Sequence, residues 1–213
     1  MVARGGKRPV LRVQAEKLTQ CSGKSAFLAV ISRLLEIRHG SVIIDGVDVA
    51  TIPRNTLHCS LLVLPQDSVL IYGTVRFNLS LRVEALAEQI SDEVMIDLLT
   101  RVQLWDLIVA RGGLDAEISA LALSHGQKQL FCLARLLAMA GERRSGILLL
   151  DEVTSGVDLK TDRFLHAILK DRFKNFTIIT VAHRIESLAG SDRIVVLDEG
   201  RIAQVKTLTD RFE

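Results

Sequence analysis

The sequence predicts an α/β fold built on a largely parallel sheet, and three observations lead there. Leu61–Leu64 and residues 147–150 are short, unbroken apolar runs, and residues 177–184 (TIITVAHR) read as a further continuous core strand ending at His183, the pattern of strands buried on both faces. Longer segments between and around them carry apolar residues at helical spacing. Strand-like and helix-like segments alternate, which favours right-handed crossovers and a layered parallel sheet over a sandwich or a bundle. The 213 residues suffice for one good-sized core, or for one domain with an appendage.

Taken in order, residues 10–13 (VLRV) suit a strand, but the polar QAEK that follows does not suit a buried one. A helix is predicted to open at Gly23-Lys24-Ser25. Phe27, Leu28, Ile31, Leu34 and Leu35 form its apolar side, and it closes at Gly40 after Arg38 and His39. SVIIDGVDV (41–49) reads as two short strands about Asp45-Gly46. The core strand at Leu61–Leu64 then runs into Pro65-Gln66-Asp67. Ser91 suits the N-cap of a helix with Asp92 and Glu93 in its first turn and Val94, Ile96, Leu98, Leu99 and Val102 on its apolar side. Trp105, the one tryptophan, is expected in a core or an interface.

In residues 121–140, Ser124 suits an N-cap and Gln127 completes a capping box, with Leu130, Leu133, Leu136 and Leu137 as the buried stripe. Residues 158–173 form a further helix, with Phe164, Ile168 and Leu169 turned inward. RIVVLDEGRIAQV (193–205) gives two strands about Glu199-Gly200, followed by a short terminal helix. No internal repeat or low-complexity linker interrupts the chain.

Composition excludes several roles. Twenty-seven Lys and Arg against 25 Asp and Glu leave a formal charge of +2, so no general attraction to nucleic acid is expected. No apolar run approaches bilayer length, and the first residues lack a signal-peptide core. Cys21, Cys59 and Cys132 contain no CxxC pair and fit reduced thiols better than disulfides or zinc.

The stretch SGILLLDEVTSGVD (145–158) holds the chemistry together. Asp151 and Glu152 follow its apolar strand, and neighbours on a strand point to opposite sides, so one can face a metal while the other faces water. Solvated acids at a strand end would look the same. Gly23-Lys24-Ser25 opening a helix matches the end of the pattern GxxxxGK[ST], in which main-chain N–H groups wrap phosphate, the lysine neutralises charge and the hydroxyl binds Mg²⁺. Ser124 and Gly126 likewise place a hydroxyl and a main-chain N–H at a helix start that an anion could reach. Gln66 in its loop and His183 at the end of its strand are, taken singly, ordinary structural residues.

Together and in this order, GKS (23–25), Gln66, LSHGQ (123–127), ILLLDE (147–152) with SGVD (155–158), and His183 resemble the nucleotide-binding domain of an ATP-binding cassette (ABC) transporter. LSHGQ resembles that family's LSGGQ signature. SVIIDGVDV, PQDSVLIYGTVRFNL and VLDEGRI are most similar to the second such domain of the multidrug-resistance-associated (C) subfamily. The resemblance runs from about residue 19 to the C-terminus. It implies a P-loop NTPase-type parallel sheet with a helical signature subdomain at about 75–140, after a divergent segment 1–18 in which the antiparallel N-terminal strands are incomplete.

The resemblance also implies ATP and Mg²⁺ as cofactors and assigns roles. Ser22, Gly23 and Lys24 would hold the phosphates, and Ser25 and Asp151 the Mg²⁺. Gln66 would join the metal and the attacking water. Glu152 would act as general base, and His183 would contact the γ-phosphate. Ser124, Gly126 and Gln127 would reach ATP bound to a second nucleotide-binding domain, in a head-to-tail dimer, while Asp158 links the two sites. Transmembrane domains are the implied partner, which would put the chain at the cytoplasmic face of a membrane.

Departures from the pattern point to alternatives. Leu18 and Cys21 stand where the phosphate loop has glycines, and residues 1–20 contain no aromatic side chain to stack on adenine. A truncated or decayed domain that only completes a partner's ATP site would have this pattern. A soluble ABC ATPase acting on DNA or ribosomes is the third reading, disfavoured by the near-neutral charge.

Overall fold

The structure is a computed structural model that describes residues 10–15, 24–37, 39–81, 90–153, 156–182, 191–198 and 201–207. The chain forms two compact units. The first comprises Met1–Val63, Arg144–Glu152 and Phe173–Glu213, the second Leu64–Arg143 and Val153–Arg172.

The first unit is organised by a six-stranded sheet. Its strands are β1 (Val10–Ala15), β4 (Leu61–Leu64), β5 (Ile147–Asp151), β6 (Thr177–Ala182), β7 (Arg193–Asp198) and β8 (Arg201–Thr207), in the order β4-β5-β6-β1-β7-β8. Pairings β5 with β6, β6 with β1 and β1 with β7 are parallel, and β7 with β8 is antiparallel. The polar run after VLRV does not keep β1 out of the sheet: Gln14 pairs with Ala182 and Ala15 with Leu197. In register, Asp151, Val181 and Val13 share one row, so β5 and β1 end at the same edge. That carboxyl edge is where open parallel sheets bind ligands.

The helix α1 (Lys24–Ile31) follows β1 and packs against β1 and β5. Leu28 and Ile31 join Leu149, Val181, Leu57 and Leu61 in one buried cluster. A small antiparallel pair, β2 (Ile43–Ile44) and β3 (Val47–Asp48), turns at Asp45-Gly46 as its sequence requires. The helix α2 (Arg54–Ser60), which no apolar periodicity announces in the sequence, leads directly into β4.

α1 is shorter than predicted. Arg33 adopts φ 51°, and Leu34 N–H bonds to the Ala29 carbonyl at 2.8 Å while Arg33 N–H bonds to Val30 at 3.0 Å. This is a left-handed helix stop, usually made by glycine. Here the Arg33 guanidinium holds it by donating to the carbonyls of Val49, at 3.0 Å, and Ile52. Leu34 (71% exposed) and Leu35 therefore leave the apolar side on which the sequence had placed them.

The second unit is helical: α3 (Val75–Ser80), α4 (Asp92–Arg101), α5 (Trp105–Val109), α6 (His125–Ala140) and α7 (Leu159–Arg172). α6 is its axis, packing against α3, α4 and α7 and burying Phe131, Leu133 and Leu136. Ser91 caps α4 as predicted, accepting from Val94 N–H. Val94 itself is exposed, and Met95 takes the inward position with Leu98 and Leu99. In α7 the fully buried residues are Leu165 and Leu169, with Phe164 and Ile168 half-buried at the flanks. Trp105 opens α5 and is half-buried. The Glu199-Gly200 turn and the predicted terminal helix lie outside the described residues.

Candidate functional site

In the first unit, the carboxyl edge of the sheet meets the start of α1. Lys24 is the first helical residue, and the next, Ser25, donates from its hydroxyl to Asp151 Oδ1 at 3.3 Å, across 126 positions of sequence. α1 has no acidic residue in its first turn, so its partial positive charge is not offset by its own side chains. The exposed Ser25 hydroxyl and half-buried Asp151 carboxylate are hard oxygen donors, suited to Mg²⁺ or Ca²⁺ rather than to a thiophilic metal.

Glu152 does not continue the strand. Its N–H bonds to the Val181 carbonyl at 3.1 Å, but its φ is +46°, in the left-handed region that a non-glycine residue seldom occupies. The expected alternation of Asp151 and Glu152 across a strand is thereby replaced by a turn, which sets the direction of the Glu152 side chain independently of the sheet. Ser22, Gly23 and His183 lie outside the described residues.

The second unit carries Gln66, Ser124, Gly126, Gln127 and Asp158. The capping box is complete. Ser124 Oγ accepts from Gln127 N–H at 3.2 Å, and Gln127 Oε1 accepts from Ser124 N–H at 2.9 Å. Ser124 and His125 are exposed. α6, like α1, has no acid in its first turn, whereas α4 begins with Asp92 and Glu93 and α7 carries Asp162. Among the described helices of eight or more residues, the two with no acid of their own in the first turn are thus the two whose sequences suggested an anion site.

Gly126 packs against α7, and a Cβ there would lie 3.6 Å from Thr161. A Cβ on Gly156 would lie 3.6 Å from His125 Nε2, so the turn before Asp158 passes beside the third residue of LSHGQ. Asp158 accepts from the Thr161 hydroxyl at 2.6 Å and from the N–H groups of Lys160 and Thr161. Those bonds, the hydroxyl first, hold its carboxyl below the usual aspartate value.

Gln66 sits in an exposed loop, and what fixes its main chain was missed in the sequence. Gln129, wholly buried in α6, donates from Nε2 to the Gln66 carbonyl at 2.6 Å. Arg135 donates to the carbonyls of Val69 and Asn78, and buried Asn78 ties itself to Ile71. Gln129 stands in line with Leu133, Leu136 and Ala140, all buried, and an amide on that apolar row was the available signal.

The chain is similar to known proteins in sequence and in overall fold. The sequence pattern described as ABC transporter matches residues 20–155. An ABC-type transporter of Gibberella zeae is 39% identical over 183 residues, and the ABC multidrug transporter B of Aspergillus fumigatus 37% identical over 183 residues; each match covers 86% of this chain. The chain spans 12% of the length of each of these relatives. The structure of a bacterial Atm1-family ABC exporter with ATP bound is similar at a TM-score of 0.78 and 30% identity, over 95% of this chain and 34% of that one.

Proposed function

This chain belongs to the ABC transporter family and has that family's α/β P-loop NTPase fold, and from this premise we propose that it binds and hydrolyses ATP to drive transport through separate membrane helices. Among the described residues no helix is long and apolar enough to cross a membrane. The observation that carries the proposal is the 3.3 Å contact between Ser25 and Asp151. It joins the hydroxyl of the lysine motif to the acid at the end of the central strand, the two groups that would share Mg²⁺.

Bound Mg²⁺ would neutralise phosphate charge and orient the terminal phosphate for in-line attack. Lys24 and the main chain of Ser22 and Gly23 would hold the phosphates, aided by the α1 dipole. Ser25, Asp151 and Gln66 would hold the metal. Glu152 would orient the attacking water and accept its proton, with His183 contacting the γ-phosphate. Ser124, Gly126 and Gln127 would engage ATP on a second nucleotide-binding domain, in a head-to-tail dimer at the cytoplasmic face of a membrane. The wording of residues 41–49, 65–79 and 196–202 supports the C subfamily.

MgATP binding and turnover by the purified chain test this. Glu152→Gln should retain ATP with turnover reduced about 100-fold or more. Absence of Mg-dependent binding at millimolar ATP would refute the reading. A second reading rests on Leu18 and Cys21: the chain completes a partner's site through Ser124 without binding ATP through Lys24. Nucleotide affinity measured with and without a competent partner domain separates the two.

A further inference from the structure

We propose that Gln129 is a positioning residue for Gln66, the first member of a polar row on α6 that fixes the loop carrying Gln66 to the helix that begins at Ser124. The proposal rests on the reading of Gln66 as a nucleotide-site residue. Gln129, Cys132 and Arg135 follow one another at intervals of three along α6 and so form a ridge on one side of it. The loop meets them in step. Gln129 Nε2 donates to Gln66 O at 2.6 Å, Cys132 lies against Ser68 and Val69, and Arg135 Nη1 donates to Val69 O at 2.9 Å. Arg135 Nε continues to Asn78 O at 2.7 Å, and Asn78 Oδ1 accepts from Ile71 N–H at 2.9 Å.

Packing does not account for the amide at 129. The side chain is 0% exposed, and among the described residues its Oε1 has no hydrogen-bond partner. A methionine would fill the same length without leaving a buried acceptor unsatisfied. What the amide adds is one donor, aimed at the carbonyl of the residue whose side chain has the proposed role. With the carbonyls of Gln66 and Val69 both fixed, the root of the Gln66 side chain moves with α6. Its contact with one nucleotide and that of Ser124 with another are then coupled through a single helix.

Amide hydrogen exchange on the full chain tests this without reference to activity. Gln129→Met should make peptides covering residues 65–71 exchange about tenfold faster, with the rest of α6 and the melting temperature unchanged. Unchanged protection of that loop overturns the proposal. Should the methionine variant fail to fold, Gln129→Asn keeps the polarity but falls one methylene short, and the same loosening is required of it. In turnover, Gln129→Met should lower kcat about tenfold with KM nearly constant and add nothing in a Gln66→Ala background. Independent, additive losses in the double variant refute action through Gln66. A loosened loop in a chain whose turnover Gln66→Ala does not change supports the fixing of the loop and counts instead against the role given to Gln66.

Discussion

Ser124 is asked to do two things, and substitution can separate them. As N-cap of α6, its hydroxyl accepts from Gln127 N–H at 3.2 Å. As a proposed ligand of a partner's ATP, the same hydroxyl donates to phosphate. Ser124→Ala removes both. Gln127 is half-buried but its bond to Ser124 lies at the surface, so the freed N–H can turn to water, and the reciprocal bond from Ser124 N–H to Gln127 Oε1 does not involve the hydroxyl. The cost is therefore expected near the middle of the range for lost caps, about 1 kcal/mol. In a chain of 213 residues that lowers the melting temperature by about 2–4 °C.

Ser124→Asp keeps the cap, since aspartate accepts the same bond, and adds a favourable charge at the positive end of the helix. Its stability should match or slightly exceed that of the parent. Beside a phosphate, however, two like charges about 4 Å apart cost about 4 kcal/mol at the effective dielectric of a protein surface, or about a thousandfold in association. Thermal unfolding and ATP-dependent dimerisation in the Glu152→Gln background measure the two effects. The aspartate variant should be stable and monomeric with ATP. If it dimerises as the parent does, Ser124 does not face a phosphate and the head-to-tail assembly is wrong.

Gly146→Ala should destabilise by about 1–3 kcal/mol, read as a lower urea midpoint. Its Cβ would sit 2.9 Å from the Phe176 ring, which is buried and held edge-on to Phe173 with centroids 5.0 Å apart. Glu152→Gly should raise stability by about 1 kcal/mol, because glycine occupies φ +46° without the strain of an L side chain, while hydrolysis falls to the level of Glu152→Gln; loss of stability would refute the strain argument. Asp158 has a carboxyl depressed below its ordinary 3.8, so its contribution is complete above that value and is lost as pH falls through the lower, folded-state value. Thr161→Val removes the leading cause of that depression. The stability gap between parent and variant should hold from pH 7 to about 4 and close at lower pH, and a gap independent of pH would refute the assignment.

What the sequence made legible is local. The α6 cap was readable because donor and acceptor lie three residues apart, and the buried strands because their apolar runs need no partner to be recognised. The end of α1 was not readable. It is decided by Arg33 reaching carbonyls 16 and 19 positions away, which let an arginine do what glycine does elsewhere. The standing of β1 was equally hidden, since its polar end is held by main-chain pairing with β6 and β7, strands far along the chain. Among the site residues, Lys24, Ser25, Asp151 and Glu152 were nominated by type and order. The contact joining two of them spans 126 positions and depends on β5 and β1 ending at one edge.

The left-handed turn at Glu152 bears on why adjacent acids can take different roles. Had the strand run on, the pleat alone would have separated them, with Glu152 on the face opposite Asp151. Instead Asp151 ends the paired register and meets Ser25, while Glu152 keeps one bond to the Val181 carbonyl and leaves the pleat. Its main chain is pinned and its side chain redirected. A glycine would make this turn without strain, whereas glutamate carries a cost of about 1–2 kcal/mol. That cost is offset only if the carboxylate does something glycine cannot, and residues held in such conformations concentrate where side-chain direction matters to chemistry. The backbone thus distinguishes the acid that meets the lysine-motif hydroxyl from the acid proposed to orient water, a distinction that two consecutive carboxylates in a sequence do not reveal.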